Sequence, residues 1–137
     1  IYINTICMGF AWRSYLTLAT ILSKENSQEN HRCAISRAYY AVYNILRIRA
    51  NYQNTQAISS HRTFIDSLKN PSDDLFNRFP FEGKSDLIFH SLEYLRLARN
   101  EADYDGTILI RKNDCDSIIS KAESIFEMLD DADNTAL

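Results

Sequence analysis

Sharp turns draw on the left-handed backbone open to glycine or on the fixed φ of proline, and this chain has three glycines and two prolines in 137 residues. A many-stranded sandwich needs a turn signal about every 8–12 residues, far more than so few turn formers supply. The chain is therefore expected to be all-α. Its 45% hydrophobic and 24% charged residues suit one compact domain with a single core.

Apolar spacing marks five helical segments. The first, about Ala11 to Lys24, repeats Tyr15, Leu18, Ala19 and Leu22 at helical intervals. The second, about Glu29 to Asn51, aligns Ala34, Ala38, Ala41, Val42, Ile45 and Ile48, and its alanines permit close approach by a neighbouring helix. Ser36, Tyr40, Tyr43 and Arg47 share roughly the opposite face. That row is too apolar for bare solvent, so it should meet another helix, a second subunit or a ligand. A third helix, about Ser59 to Leu68, has Ser59 or Ser60 as its cap and ends before Asn70-Pro71. Asp73 to Gly83, with Phe76, Phe79, Pro80 and Phe81, reads as an irregular connection packed on the core. The fourth, about Ser85 to Tyr104, buries Ile88, Ser91, Leu92, Leu95, Ala98 and Ala102. The fifth, about Asn113 to Asp131, buries Ile118, Ile119, Ala122, Ile125, Phe126 and Leu129, with Asn113 or Asp114 as its cap.

Residues 1–9 are read as an N-terminal extension of non-native or upstream origin, because Met8 follows an opening Ile, and 133–137 as a flexible tail. The opening run lacks the basic region and cleavage site of a signal peptide and is too short to span a bilayer. Cys7, Cys33 and Cys115 are odd in number, far apart and without a metal-ligand pattern, as fits thiols in a reducing cytoplasm. No metal or other cofactor is expected. The formal charge of -3 excludes an indiscriminate nucleic-acid coat, yet Asn30 to Ile65 holds Arg32, Arg37, Arg47, Arg49 and Arg62 with no acid at all. Acids outnumber bases from Glu101 onward. Such a division fits either a restricted phosphate-binding face or pairing between the two segments.

One stretch concentrates chemistry. Arg99-Asn100-Glu101-Ala102-Asp103-Tyr104 places a fixed cation, an amide, two carboxylates and a phenol within about two helical turns. Arginine presents a planar fork matched to phosphate oxygens. Asp103 is a ready base and Tyr104 a donor. Arg96, Asn100, Asp103 and Tyr104 fall on one stripe, with Arg99 between it and the core. Asp103 and Asp105 sit at a helix C-terminus, where the dipole disfavours anions, so local helix stability did not select them. The plainer alternative is an Arg99–Asp103 ion pair at i,i+4, which contributes about 0.2–0.5 kcal/mol on an exposed helix, with Tyr104 as an amphipathic plug. No Gly-rich phosphate loop, metal-ligand cluster or nucleophile elbow competes.

Two motifs together resemble the HEPN superfamily of small helical proteins: Ser36-Arg37-Ala38-Tyr39-Tyr40-Ala41-Val42-Tyr43 in the second helix, and Arg99 to Tyr104 at the end of the fourth. The similarity spans roughly Phe10 to Leu129. It implies an antiparallel bundle of four to five helices over residues 10–132, a homodimer, and a toxin or defence component that cleaves RNA without metal by 2′-hydroxyl attack, often paired with a minimal nucleotidyltransferase antitoxin. Arg99, Asp103 and Tyr104 would then be the catalytic set, with Asn100, Arg96, Arg37 and Tyr40 binding RNA or nucleotide. The family motif places a histidine a few positions after its arginine. Here Asp103 and Tyr104 stand in that place, as in a branch carrying alanine-aspartate-tyrosine. An unperturbed Tyr, pKa about 10, is rarely ionised at pH 7, and an unperturbed Asp, pKa about 3.9, is rarely protonated. Catalysis is therefore expected to be slower than with histidine. His31, His61 and His90 have no sequence tie to Arg99 and are each read as surface or structural residues, His61 being the least remote candidate for a substitute. The alternative function is a non-catalytic nucleotide-binding or adaptor subunit of a nucleotidyltransferase, with Tyr104 as a modification site. A plain helical dimerisation module is the third.

Overall fold

The computed structural model describes residues 10–50, 60–67 and 84–135, with side chains to Asp130. Five helices, and no strand, make up the described residues: α1 (Arg13–Ser23), α2 (Gln28–Arg49), α3 (Ser60–Ser67), α4 (Ser85–Tyr104) and α5 (Lys112–Thr135). The all-α bundle read from the turn-poor sequence is what forms. The expected extension at 1–9, the Ser59 cap and the aromatic connection from Asp73 to Gly83 lie outside the described residues, while Ser60 stands as the first residue of α3. Helix α5 continues to Thr135, into the segment read as a tail.

The boundaries have local causes. Ser27, in extended backbone, accepts a hydrogen bond from the Asn30 amide and so caps α2. α5 begins one residue before its expected start, and the Asp114 carboxylate reaches back from the first turn to the Arg111 amide at 2.8 Å. This is the return half of a capping box. At the end of α4, Asp105 turns to extended backbone and its side chain accepts from the Thr107 amide and hydroxyl.

α2 is the central helix. It packs most extensively on α1, then on α4 and α5, and its alanine stripe is fully buried at Ala34, Ala38 and Ala41. It runs antiparallel to α4, since rising numbers on α2 meet falling numbers on α4: Arg32 bonds Ala102, and Tyr40 bonds Arg99. Ile88, Leu92 and Leu95 of α4 and Ile118, Ile119, Ala122, Ile125, Phe126 and Leu129 of α5 complete the core as expected.

Two core assignments do not hold. On α1 the buried line is Leu16, Ala19 and Ser23, with Tyr15 and Leu22 at its edges, while Leu18 lies outside at 39% exposure. Ile48 of α2 is 52% exposed, because it lies at the edge of the buried arc, on which Leu46 and Ala50 are the covered residues of the last turn. Apolar spacing marks a face, and neighbouring helices decide how much of that face is covered.

Candidate phosphate-binding site at the end of α4

Arg99 is the hub. Its Nε donates to Asp103 Oδ2 at 3.0 Å, Nη1 to Asn100 Oδ1 at 3.1 Å, and Nη2 to the hydroxyls of Tyr40 at 2.7 Å and Tyr104 at 3.4 Å. The guanidinium carbon lies 5.2 Å from the Tyr40 ring centre, 5.3 Å from that of Tyr104 and 5.8 Å from that of Tyr39. Those distances fall in the cation–π range. The expected i,i+4 pair with Asp103 therefore forms, but it is embedded: the two side chains are only 14% and 28% exposed. Partial desolvation strengthens the attraction and raises the cost of losing either partner.

α2 supplies the other wall. Ser36 donates to Asp103 Oδ2 at 3.2 Å, so that oxygen holds two donors at once. Arg37 lies 5.4 Å from the Tyr40 ring centre and 4.7 Å from that of Tyr15, and reaches Ser36 Oγ at 3.4 Å. Tyr40 thus touches two guanidinium groups, one from its own helix and one from α4. The row Ser36, Tyr40, Tyr43 and Arg47 meets other helices of the same chain. Tyr104, read as a plug, instead stands 75% exposed with its ring beside Arg99. With Arg32, Asp103 and Thr107 it lines an open recess of about 530 Å³.

Arg96 does not join the Arg99 network by hydrogen bonds. It pairs with Glu93 at 3.0 Å, and Arg62 of α3 takes the same carboxylate at 2.8 Å. Burial alone would raise the Glu93 carboxyl, but the bonds and charges of Arg96 and Arg62 hold it below its usual range. Arg37, Arg47, Arg62, Arg96 and Arg99 are thus set against Glu93, Asp103 and Asp66. Among the described residues the surplus here is positive, on a chain whose formal charge is -3. Arg13, which lies outside the basic segment, pairs with Asp130 at 3.3 Å.

Three contributors were not among the expected site residues. Arg32 fans its guanidinium onto the carbonyls of Glu101, Ala102, Asp105 and Ile108, closing the C-terminus of α4 beneath the site. Tyr39 is fully buried, and its phenol is pushed far above its usual range by that burial and by Tyr43, against the pull of Arg99. Both fall on the Arg32, Ser36, Tyr39, Tyr43, Arg47 face of α2, so extending that row by one turn would have found Arg32. The third is His61, which no local pattern ties to Arg99. His31 instead holds the Ile110 carbonyl at 3.0 Å inside the core, and His90 is exposed on α4.

No group of three or more His, Cys, Asp or Glu suited to a metal ion occurs among the described residues. None of the described helices is long and apolar enough to cross a membrane. Cys115 is buried, its thiol pushed up to about 11 by that burial and by Asp116 and Asp114, and Cys33 is exposed. Comparison of the chain with protein-family models, with curated proteins and with solved structures gave no match.

Proposed function

We propose that this chain is a HEPN-type toxin or defence component that binds RNA across the Arg99 face and cleaves it by metal-independent attack of the 2′-hydroxyl. The observation that carries the reading is Arg99 itself, a cation oriented by four partners and flanked by tyrosines inside a net positive patch. A planar guanidinium suits a phosphate, and exposed aromatic rings suit unstacked bases. Arg99 holds the scissile phosphate, while Asn100 and Asp103 fix its fork. Tyr40 and Arg37 extend the binding face along α2, and Arg96 strengthens the local field. Tyr104 gives a proton to the leaving oxygen. The active form is a homodimer, and the natural partner is a nucleotidyltransferase antitoxin.

Expression in cells tests this. The wild type should arrest growth and bind RNA, and Arg99→Ala should do neither. Arrest that persists in Arg99→Ala, or RNA cleavage abolished by EDTA, would overturn the reading.

A second reading rests on the exposure of Tyr104, whose hydroxyl lies 3.4 Å from Arg99 Nη2. Such a phenol is open to accept a transferred nucleotide, as an adaptor subunit of a nucleotidyltransferase would. Co-expression with a candidate nucleotidyltransferase and intact-mass measurement discriminates. A nucleotide adduct lost in Tyr104→Phe supports it; no adduct and no complex removes it.

A further inference from the structure

His61 of α3 and Arg99 of α4 lie against the same pair of rings. The imidazole centre is 5.8 Å from that of Tyr39 and 5.7 Å from that of Tyr40, the two phenols that Arg99 also touches. It stacks on Tyr43 at 4.0 Å with an interplanar angle of 16°. Nδ1 shares a 2.8 Å hydrogen bond with the Tyr39 hydroxyl. Ring plane and ring rotation are therefore both fixed, one by the stack and the other by the bond. Nothing among the described residues hydrogen-bonds Nε2.

We propose that His61 is the general base of the site, a deepening that rests on the RNA-cleaving reading above. In the tautomer required, Nδ1–H donates to the Tyr39 oxygen and Nε2 carries the free lone pair. Nε2 takes the proton of the substrate 2′-hydroxyl as that oxygen bonds to the adjacent phosphorus held by Arg99. The bond from phosphorus to the 5′-oxygen breaks, and the leaving oxygen takes the Tyr104 proton. The products are a 2′,3′-cyclic phosphate and a 5′-hydroxyl, and solvent returns the proton from imidazolium to phenolate.

The surroundings suit a base. Facing His61 are Tyr39, Tyr40, Tyr43 and Arg47 of α2 and Arg96 and Arg99 of α4, with Arg62 and Asp66 on its own helix. Burial, then the charges of Arg99, Arg96 and Arg47, hold the imidazole below its usual range, so it is neutral at pH 7. Asp103 is less free to act, because its Oδ2 already accepts from Arg99 and Ser36.

The test uses the full chain, an RNA oligonucleotide and its 2′-deoxy counterpart. His61→Asn should bind the 2′-deoxy strand within about twofold of wild type and cleave RNA about 10²–10⁴-fold more slowly, the usual size of a general-base contribution. The acid limb of the wild-type rate profile should vanish, and added imidazole should restore part of the activity in His61→Gly. Tyr39→Phe keeps the ring and serves if the histidine variants do not fold; it should bind normally and cleave at least tenfold more slowly. Cleavage at the wild-type rate in His61→Asn, or in Tyr39→Phe where that variant decides, overturns the role of His61 and leaves the RNA reading standing. Binding without cleavage by wild type also overturns it, together with the cleavage step. Absence of RNA binding by wild type overturns the functional reading as well.

Discussion

Arg99 is oriented before any ligand arrives. Each of its three nitrogens has a partner, and three of its four partners, Asn100, Asp103 and Tyr104, come from its own helix. Pre-orientation removes side-chain ordering from the cost of binding, which is why an arginine so constrained is a better phosphate anchor than an equally exposed free one. The same crowding of cations leaves a signature at His61. An imidazole held below its ordinary 6.5 binds its proton more readily when unfolded than when folded. Stability from this group is complete above about pH 6.5 and is lost as pH falls through the window between 6.5 and the lowered folded value. Urea midpoints measured from pH 7.5 down to 5 should fall on acidification, and His61→Gln should flatten that slope. An equal slope in the variant would assign the loss to other groups.

At the scale of elements, α4 poses the sharpest problem. Two aspartates stand at its C-terminus, where the dipole penalises each by about 0.3–1 kcal/mol. The solution comes from α2, where Arg32 donates to carbonyls at and beyond the end of α4. It supplies a positive charge and satisfies acceptors that would otherwise be orphaned. Arg32→Ala should therefore cost about 1.5–3 kcal/mol, the range for hydrogen bonds to a charged group. In urea the midpoint should drop with the slope unchanged, and, under the RNA-binding proposal, RNA affinity should weaken as the Asp103 and Tyr104 turn frays. Arg32→Lys should recover only part of the stability, since an ammonium does not span carbonyls set apart in this way. Helix bounds were legible to within a few residues, because periodicity and capping are local. The exposure of Leu18 and Ile48 was not, because it depends on where neighbouring helices stop.

For the whole molecule, a net positive patch on a chain of formal charge -3 implies a strong charge asymmetry. Under the RNA-binding proposal, that asymmetry would draw phosphate toward this face. The face also carries the exposed ring of Tyr104, and Leu87, Tyr94, Leu97 and Leu109 add apolar surface elsewhere. Under the homodimer proposal, sedimentation equilibrium should read twice the 15.9 kDa of the chain. A single-chain mass at micromolar concentration would remove the dimer from the proposal.

Much of this site was readable from one dimension. The pairing of Arg99 with Asp103 follows from i,i+4 spacing, and the row from Ser36 to Arg47 declared itself by being too apolar for solvent. The all-α class follows from scarce glycine and proline, and the membership of each core stripe largely from 3.6-residue periodicity. These are short-range properties, set by backbone geometry and by which face water rejects. Only the tertiary structure brought Tyr40 onto Arg99, Arg32 under the end of α4, and His61 against the rings that flank the arginine. Those meetings depend on how helices rotate and cross when their cores interlock. A sequence pattern determines which side of a helix turns inward, whereas the partner it meets there is chosen by packing among all the helices at once.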